Sequence, residues 1–175
     1  MQFNILIEGS AGQGPNALAK VIGNILTKAG YFVFISREYG SFIRGGHNAN
    51  SLSISDKPIM SNSSKPNLKI KLETDGENNM FYAGKVVKYF GFDFNALEAE
   101  LKKLKNFDEN LKQAKRGYKE EKTKTKLKPL RNKIDFSDGS EAIAIGAIKS
   151  GLDTYFAYPM TPSTGVMGEL AERQI

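Results

Sequence analysis

Cysteine is absent from this 175-residue chain, and histidine occurs once, as His47. Without a thiol there is no disulfide, no thiolate nucleophile and no cysteine-held iron–sulfur or zinc site within the chain. One histidine makes no histidine metal cluster either, so any redox metal the function needs belongs on another chain. No run of about 18 apolar residues is present, which excludes a hydrophobic transmembrane helix. The opening Met1-Gln2-Phe3-Asn4 lacks a basic stretch and leads straight into an apolar alternation. No signal peptide is expected from it, and a cytoplasmic location is the default reading. With 40% hydrophobic residues the chain can bury one core, or one core and a fragment of a second.

The net charge of +6 is unevenly placed. Residues 99–133 hold 13 Lys and Arg against 5 Asp and Glu, a net +8, while residues 1–98 carry +2 and residues 134–175 carry −4. Basicity confined to one segment reads as a solvated connector, not a binding face of the folded ends. Aromatic residues that would stack on bases are nearly absent from it, which leaves a nucleic-acid module weakly supported.

The densest local signal is Gly9-Ser10-Ala11-Gly12-Gln13-Gly14. Phe3, Ile5 and Ile7 before it alternate as a strand does, and Leu18, Val21, Ile22, Ile25, Leu26 and Ala29 after it recur on one helical face. Glycines between a strand and a helix permit positive φ and a sharp turn, and leave the first N–H groups of the helix facing outward. The helix dipole then favours an anion, so a phosphate-bearing ligand is the natural guest. The glycine order is G-x-x-G-x-G, neither a dinucleotide fingerprint nor a P-loop. Glycines needed only for close packing remain the alternative.

Gly30 reads as the stop of the first helix, and Tyr31–Ile35 as a second, buried strand, completing a βαβ unit with parallel strands. Arg37, Glu38 and the segment to Asn48 follow the carboxyl end of that strand, where α/β sheets bind ligands. Arg44 with Gly45 and Gly46 suits a loop that brings a guanidinium and bare backbone to an anion; an ordinary surface ion pair is the other reading. His47 reads as a hydrogen-bonded loop residue. Residues 50–55 alternate as a strand, and one short edge strand is expected around Leu68, Ile70 and Leu72. Residues 80–94, rich in aromatics, read as strand interrupted at Gly84 and Gly91. Asn95 is placed to cap a helix reaching about Ala114 and ended by Gly117.

The domain reading is therefore 1–114, a basic linker over 115–134, and a new α/β unit over 135–175. Asp138-Gly139-Ser140-Glu141 has the form of a capping box, Thr154–Ala157 reads as a short buried strand, and Thr161 with Pro162 as the start of a last helix. About 40 residues cannot complete a core. The unit is expected to dock elsewhere, or the polypeptide to be a fragment.

Two separated stretches resemble one family, the 2-oxoacid:ferredoxin oxidoreductases with a gamma domain fused ahead of the alpha subunit. The Gly9–Gly14 loop with Gln13, then Tyr39-Gly40-Ser41 and Arg44-Gly45-Gly46, is similar to the gamma domain's G-x-G-G-Q-G and Y-x-x-x-x-R-G-G elements. Gly139-Ser140-Glu141-Ala142, followed by Tyr158-Pro159-Met160-Thr161-Pro162-Ser163, is similar to the G-N-E-A and Y-P-I-T-P-S signatures that open the thiamine-binding pyrimidine domain. Ala11, Ser140 and Met160 depart from the usual glycine, asparagine and isoleucine, and the stretch from Ser55 to Asp135 is short for a gamma domain. The resemblance implies an α/β, Rossmann-like gamma domain with a parallel or mixed sheet, then the start of the thiamine-binding domain. It implies oxidative decarboxylation of a 2-oxoacid to an acyl-coenzyme A with ferredoxin reduction. Gly9, Gly12, Gln13, Gly14, Arg44, Gly45 and Gly46 would bind cofactor, with coenzyme A as co-substrate. Thr161, in the turn of Tyr158, Pro159, Pro162 and Ser163, would contact the substrate carboxylate. Thiamine diphosphate and iron–sulfur clusters would sit on partner chains, a beta subunit foremost, with ferredoxin meeting the complex and the chain inactive alone. A non-catalytic gamma-fold assembly module, or a nucleotide-binding protein with Glu38 as its one ribose-binding candidate, stand as alternatives.

Overall fold

Strand β1 (Gln2–Ser10) runs through the middle of a four-stranded sheet because its alternate residues Ile5 and Ile7 must leave water, and they are fully buried. The computed structural model describes residues 1–39, 46–62, 65–73 and 76–173. The other strands are β2 (Phe32–Tyr39), β3 (His47–Ser55) and β4 (Leu68–Lys71), in the order β2-β3-β1-β4. β3 is antiparallel to both β1 and β2, and β4 is parallel to β1. β1 and β2 thus run the same way, as the βαβ reading requires, but β3 lies between them. The sheet is mixed. β2 is an edge strand, so Phe32 to Ile35 are half-buried and not fully enclosed as their apolar run predicts.

Helix α1 (Pro15–Lys28) covers one face of the sheet with Leu18, Val21, Ile22, Ile25 and Leu26, all buried. Gly30, at φ 86°, ends it as predicted: its N–H donates to the Thr27 carbonyl and that of Tyr31 to the Leu26 carbonyl, a Schellman stop. On the opposite sheet face Ser53 is wholly buried, its hydroxyl bonding Asn4 Oδ1 at 2.6 Å and Asn62 Oδ1 at 2.7 Å.

Residues 80–89 and Phe94 are helical where strand was expected, with a short turn between them. α2 (Asn79–Tyr89) is capped by Asn78, whose side chain accepts the Met80 and Phe81 N–H groups. Met80, Phe81, Ala83, Val86 and Val87 all go inward at helical spacing, which outweighs the β propensity of the aromatics. The single helix expected from Asn95 is two, α3 (Phe94–Leu101), capped by Asp93, and α4 (Phe107–Glu120). Gly117 does not end α4 but lies inside it. A methyl group there would overlap the Phe81 carbonyl oxygen, and one at Gly84 the Ala114 carbonyl oxygen, so the glycine pair sets how closely α2 and α4 approach.

Residues 115–134 carry the basic charge of a linker, yet they finish α4 and then run as a strap over the first unit. The N–H groups of Lys124 and Leu127 donate to the carbonyls of Tyr89 and Phe90, and that of Leu130 to the Ala29 carbonyl at 2.8 Å. Asn132 Nδ2 bonds the Gly30 carbonyl at 2.9 Å, and Leu127 is buried. The chain divides into two compact units, Met1–Ile134 and Asp135–Ile175.

The second unit holds α5 (Gly139–Lys149) and α6 (Ser163–Glu172). Asp138 caps α5 through the Glu141 N–H at 3.0 Å, but the Glu141 carboxylate bonds Arg173 at 2.9 Å, so only half of the capping box forms. Pro162 is itself the cap residue of α6, one position later than its sequence context predicts. Thr154–Ala157 is not a strand, and Phe156 is 89% exposed: a single segment has no neighbouring strand among the described residues of this unit with which to build a ladder. Among the described residues, no helix is long and apolar enough to cross a membrane.

Candidate functional site

The turn joining β1 to α1 is held by its own side chain. Gln13 Oε1 accepts the Ser10 N–H at 2.6 Å, and the Gln13 N–H donates to the Ser10 carbonyl at 3.1 Å. Gly12 and Gly14 sit at φ 90° and 76°, conformations in which a side chain is strained. Gly14 is the cap residue of α1, and its carbonyl accepts the Leu18 N–H and, at 3.0 Å, the Asn79 side-chain amide. Gly9 is buried beneath Leu72 and Gln13. Pro15, the first helical residue, has no N–H to give. Asn16 and Ala17 are exposed, and their N–H groups have no acceptor within the helix. The positive end of α1 is therefore presented to solvent beside a turn of bare backbone, which suits an anion.

The second glycine element meets the first. The Ala11 N–H donates to the Gly46 carbonyl at 3.0 Å, and Gly46 itself takes φ 130° as the chain enters β3. Two stretches more than 30 residues apart in sequence thus form one wall. Arg44 and Gly45, with Gly40 and Ser41, lie outside the described residues.

Beside the turn, at the carboxyl ends of the parallel strands β1 and β4, is an open cavity of about 340 Å³. Its polar lining includes Glu8, Gln13, His47, Lys71 and Glu73. His47 Nε2 lies 3.3 Å from Glu8 Oε1, so the one histidine is engaged with a carboxylate and not poised alone as a base. Two carboxylates against one lysine make the cavity itself a poor anion holder; the outer side of the turn, at the start of α1, is the better one. Among the described residues no group of three or more His, Cys, Asp or Glu side chains is arranged to hold a metal ion.

Two asparagines that motif reading passes over matter here. Asn79 braces Gly14 from 65 residues away, and Asn50, wholly buried in β3, donates from its amide to Asn16 Oδ1 at 2.9 Å in the first turn of α1. No local pattern marks either, because each partner is brought up only by the packing of the sheet and α2 on α1.

In the second unit the turn Tyr158–Ser163 is exposed and internally bonded. The Ser163 hydroxyl bonds the carbonyls of Tyr158 at 2.7 Å and Met160 at 2.6 Å, and the Met160 N–H bonds the Tyr158 carbonyl at 2.7 Å. Thr161 and Pro159 are solvent-facing, and Tyr158 is 78% exposed. Ser163 therefore shapes the turn, while Thr161 is exposed.

Residues 4–77 match the family model described as pyruvate ferredoxin/flavodoxin oxidoreductase. A 2-oxoacid:ferredoxin oxidoreductase subunit alpha of a Sulfolobus species is 37% identical over 82 residues, covering 47% of this chain and 13% of that protein. The corresponding subunit of enzyme 1 from Sulfurisphaera tokodaii is 35% identical over 82 residues, with the same coverage of each chain. This chain's match thus spans a small part of the relatives' length. Among solved structures, the 2-oxoglutarate:ferredoxin oxidoreductase of Magnetococcus marinus superposes with a TM-score of 0.76 at 18% identity, over 98% of this chain and 41% of that one. Pyruvate oxidoreductase subunit PORC of Thermotoga maritima gives a TM-score of 0.55 at 18% identity, over 67% of this chain and 96% of that one. At such identity these two establish the shared mixed α/β fold.

Proposed function

From the match of residues 4–77 to the pyruvate ferredoxin/flavodoxin oxidoreductase family model, we propose that the protein is a subunit of a cytoplasmic 2-oxoacid:ferredoxin oxidoreductase, inactive without partner chains. The observation that carries the reading is the braced glycine turn within the matched segment. Gly12 and Gly14 are held left-handed, the Ser10 N–H is spent on Gln13 within the turn and the Ala11 N–H on the Gly46 carbonyl, and the start of α1 is left open.

The anion this turn suits is a phosphate of coenzyme A, a ligand bound in the Magnetococcus enzyme. Gly12, Gly14 and Gly46 supply close backbone approach, Gln13 keeps the turn closed, and Gly9 lets Leu72 pack beneath it. Arg44 and Gly45 are assigned to the same ligand by the motif alone. In the second unit, Thr161 is the hydroxyl that meets a substrate carboxylate, within the turn of Tyr158, Pro159, Pro162 and Ser163. Thiamine diphosphate and iron–sulfur clusters would be held by partner chains, where they would supply an electron sink and electron transfer; a chain without cysteine fits no cluster. What this chain's residues do is bind and orient.

The test is co-expression with a beta subunit, purification of the complex, and 2-oxoacid-dependent reduction of a low-potential dye with coenzyme A present. Thr161→Ala is expected to lower kcat/KM for the 2-oxoacid by about 10- to 100-fold, the loss of one hydrogen bond to a charged group. A folded chain that binds no beta subunit overturns the reading. A stable complex without turnover favours the assembly-module alternative.

A further inference from the structure

β4 is hydrogen-bonded to β1 on one side and, among the described residues, is the last strand of the sheet on the other. Along it, between the strand and α2, runs a groove of about 200 Å³, room for one large side chain. Its floor is apolar and aromatic: Leu68 and Ile70 from β4, and Tyr82, Val86 and Tyr89 from α2. Tyr82 is fixed at one end, where its phenol oxygen accepts the Glu73 N–H at 3.3 Å. The rim carries Lys69, Lys71, Lys85 and Lys124, against one acid, Glu121. Lys124 spans both roles, 3.3 Å from Glu121 and 5.5 Å from the Tyr89 ring centroid.

From this arrangement we propose that the groove receives an extended acidic segment of a partner protein, which adds as a strand to the edge of β4. The physical fit has three parts. An edge strand offers unpaired backbone groups; the apolar floor takes one large apolar side chain of an added strand; and the lysine rim attracts the acidic residues beside it. Lysines on an edge strand also serve to prevent unwanted pairing, and that accounts for Lys69 and Lys71. It does not account for Lys85 on α2 or Lys124 on the strap, which come from separate elements and converge on the same cavity. Charge from three elements around an apolar floor marks a site for a charged, partly apolar guest. The inference goes beyond the oxidoreductase reading and does not depend on it.

The experiment is selection of a random octapeptide display library on the immobilised 175-residue chain, with binding of synthesised winners read by fluorescence anisotropy. Enriched sequences are expected to flank one large apolar residue with acidic ones. The Lys69→Glu/Lys85→Glu variant is expected to weaken them about tenfold or more, as charge reversal at a complementary site does. Methylating alternate backbone nitrogens of the peptide is expected to do the same by removing the ladder donors. The Lys112→Glu/Lys115→Glu variant, with equal charge change away from the groove, is expected to leave binding unchanged. No enrichment, winners without acidic bias, insensitivity to backbone methylation, or equal loss in both lysine variants each overturns the proposal.

Discussion

At the scale of single residues, Gly14 and Glu100 carry the most specific consequences. Gly14 combines a left-handed backbone with the Asn79 amide packed where a side chain would go. Gly14→Ala is expected to cost about 1–2 kcal/mol for the backbone alone, read as a lowered urea midpoint at unchanged slope, and to weaken coenzyme A binding in the assembled complex. Glu100 is 2% exposed and accepts hydrogen bonds from Lys28, from Lys103 at 2.8 Å and from Asn24 at 3.0 Å. Burial pushes its carboxyl upward, but the bonds from Lys103, Lys28 and Asn24 more than offset this and hold it below the usual glutamate value of 4.5. The hydrogen bond that Lys28 donates to Glu100 correspondingly raises the Lys28 ammonium above 10.5. A carboxyl depressed in the folded state contributes stability above the unfolded value, and loses it as pH falls through the lower folded value. Glu100→Gln is therefore expected to cost about 1–3 kcal/mol at neutral pH. The cost shrinks below pH 4.5, which urea melts across the acid range would show.

At the scale of elements, the crossing of α2 and α4 depends on two glycines that the sequence presents as breakers. Gly84 and Gly117 are both buried, and each lies against the other helix's backbone, so there is no flexible side chain to yield to an added methyl. Gly117→Ala is expected to destabilise the protein by about 1–3 kcal/mol through overpacking, although alanine is the better helix former. A raised melting temperature on Gly117→Ala would show that propensity wins and that the helices can separate. The same crossing explains the misread aromatics: Phe81 packs in the core under α4 while Lys85 and Arg116 sit over its ring, at 4.8 and 4.6 Å.

At the scale of the whole molecule, the core is concentrated in the first unit. Its buried cluster runs from Ile5 through α1, the sheet and α2 to Leu127 on the strap. Among the described residues of the second unit Ala144 and Val166 are the buried hydrophobic ones, while Ile143, Phe156, Tyr158 and Met160 are more than half exposed. The Asp138 cap and the Arg173 pairs with Glu141 and Glu169 hold that unit together, and such exposed interactions add little. An isolated 135–175 peptide is expected to lose its helical circular dichroism gradually on heating, with no cooperative transition. A sharp transition would show that the two helices suffice as a folding unit.

The amino-terminal βα unit was legible because its information is local. The alternation at Phe3, Ile5 and Ile7, the glycines of the turn, the helical face from Leu18 to Ala29 and the stop at Gly30 each act within a few residues, and the structure places them as the pattern requires. The exclusions that follow from lacking cysteine, and the family likeness of the glycine turn, rest on composition and on short motifs in the same way. Tertiary structure alone decided the rest. β3 enters between β1 and β2 because pairing order is a long-range choice among exposed edges. Residues 80–89 are helical because their inward face meets α1 and α4. The basic stretch lies down as a strap because carbonyls at Ala29, Tyr89 and Phe90, far away in sequence, needed donors and the chain's N–H groups could reach them.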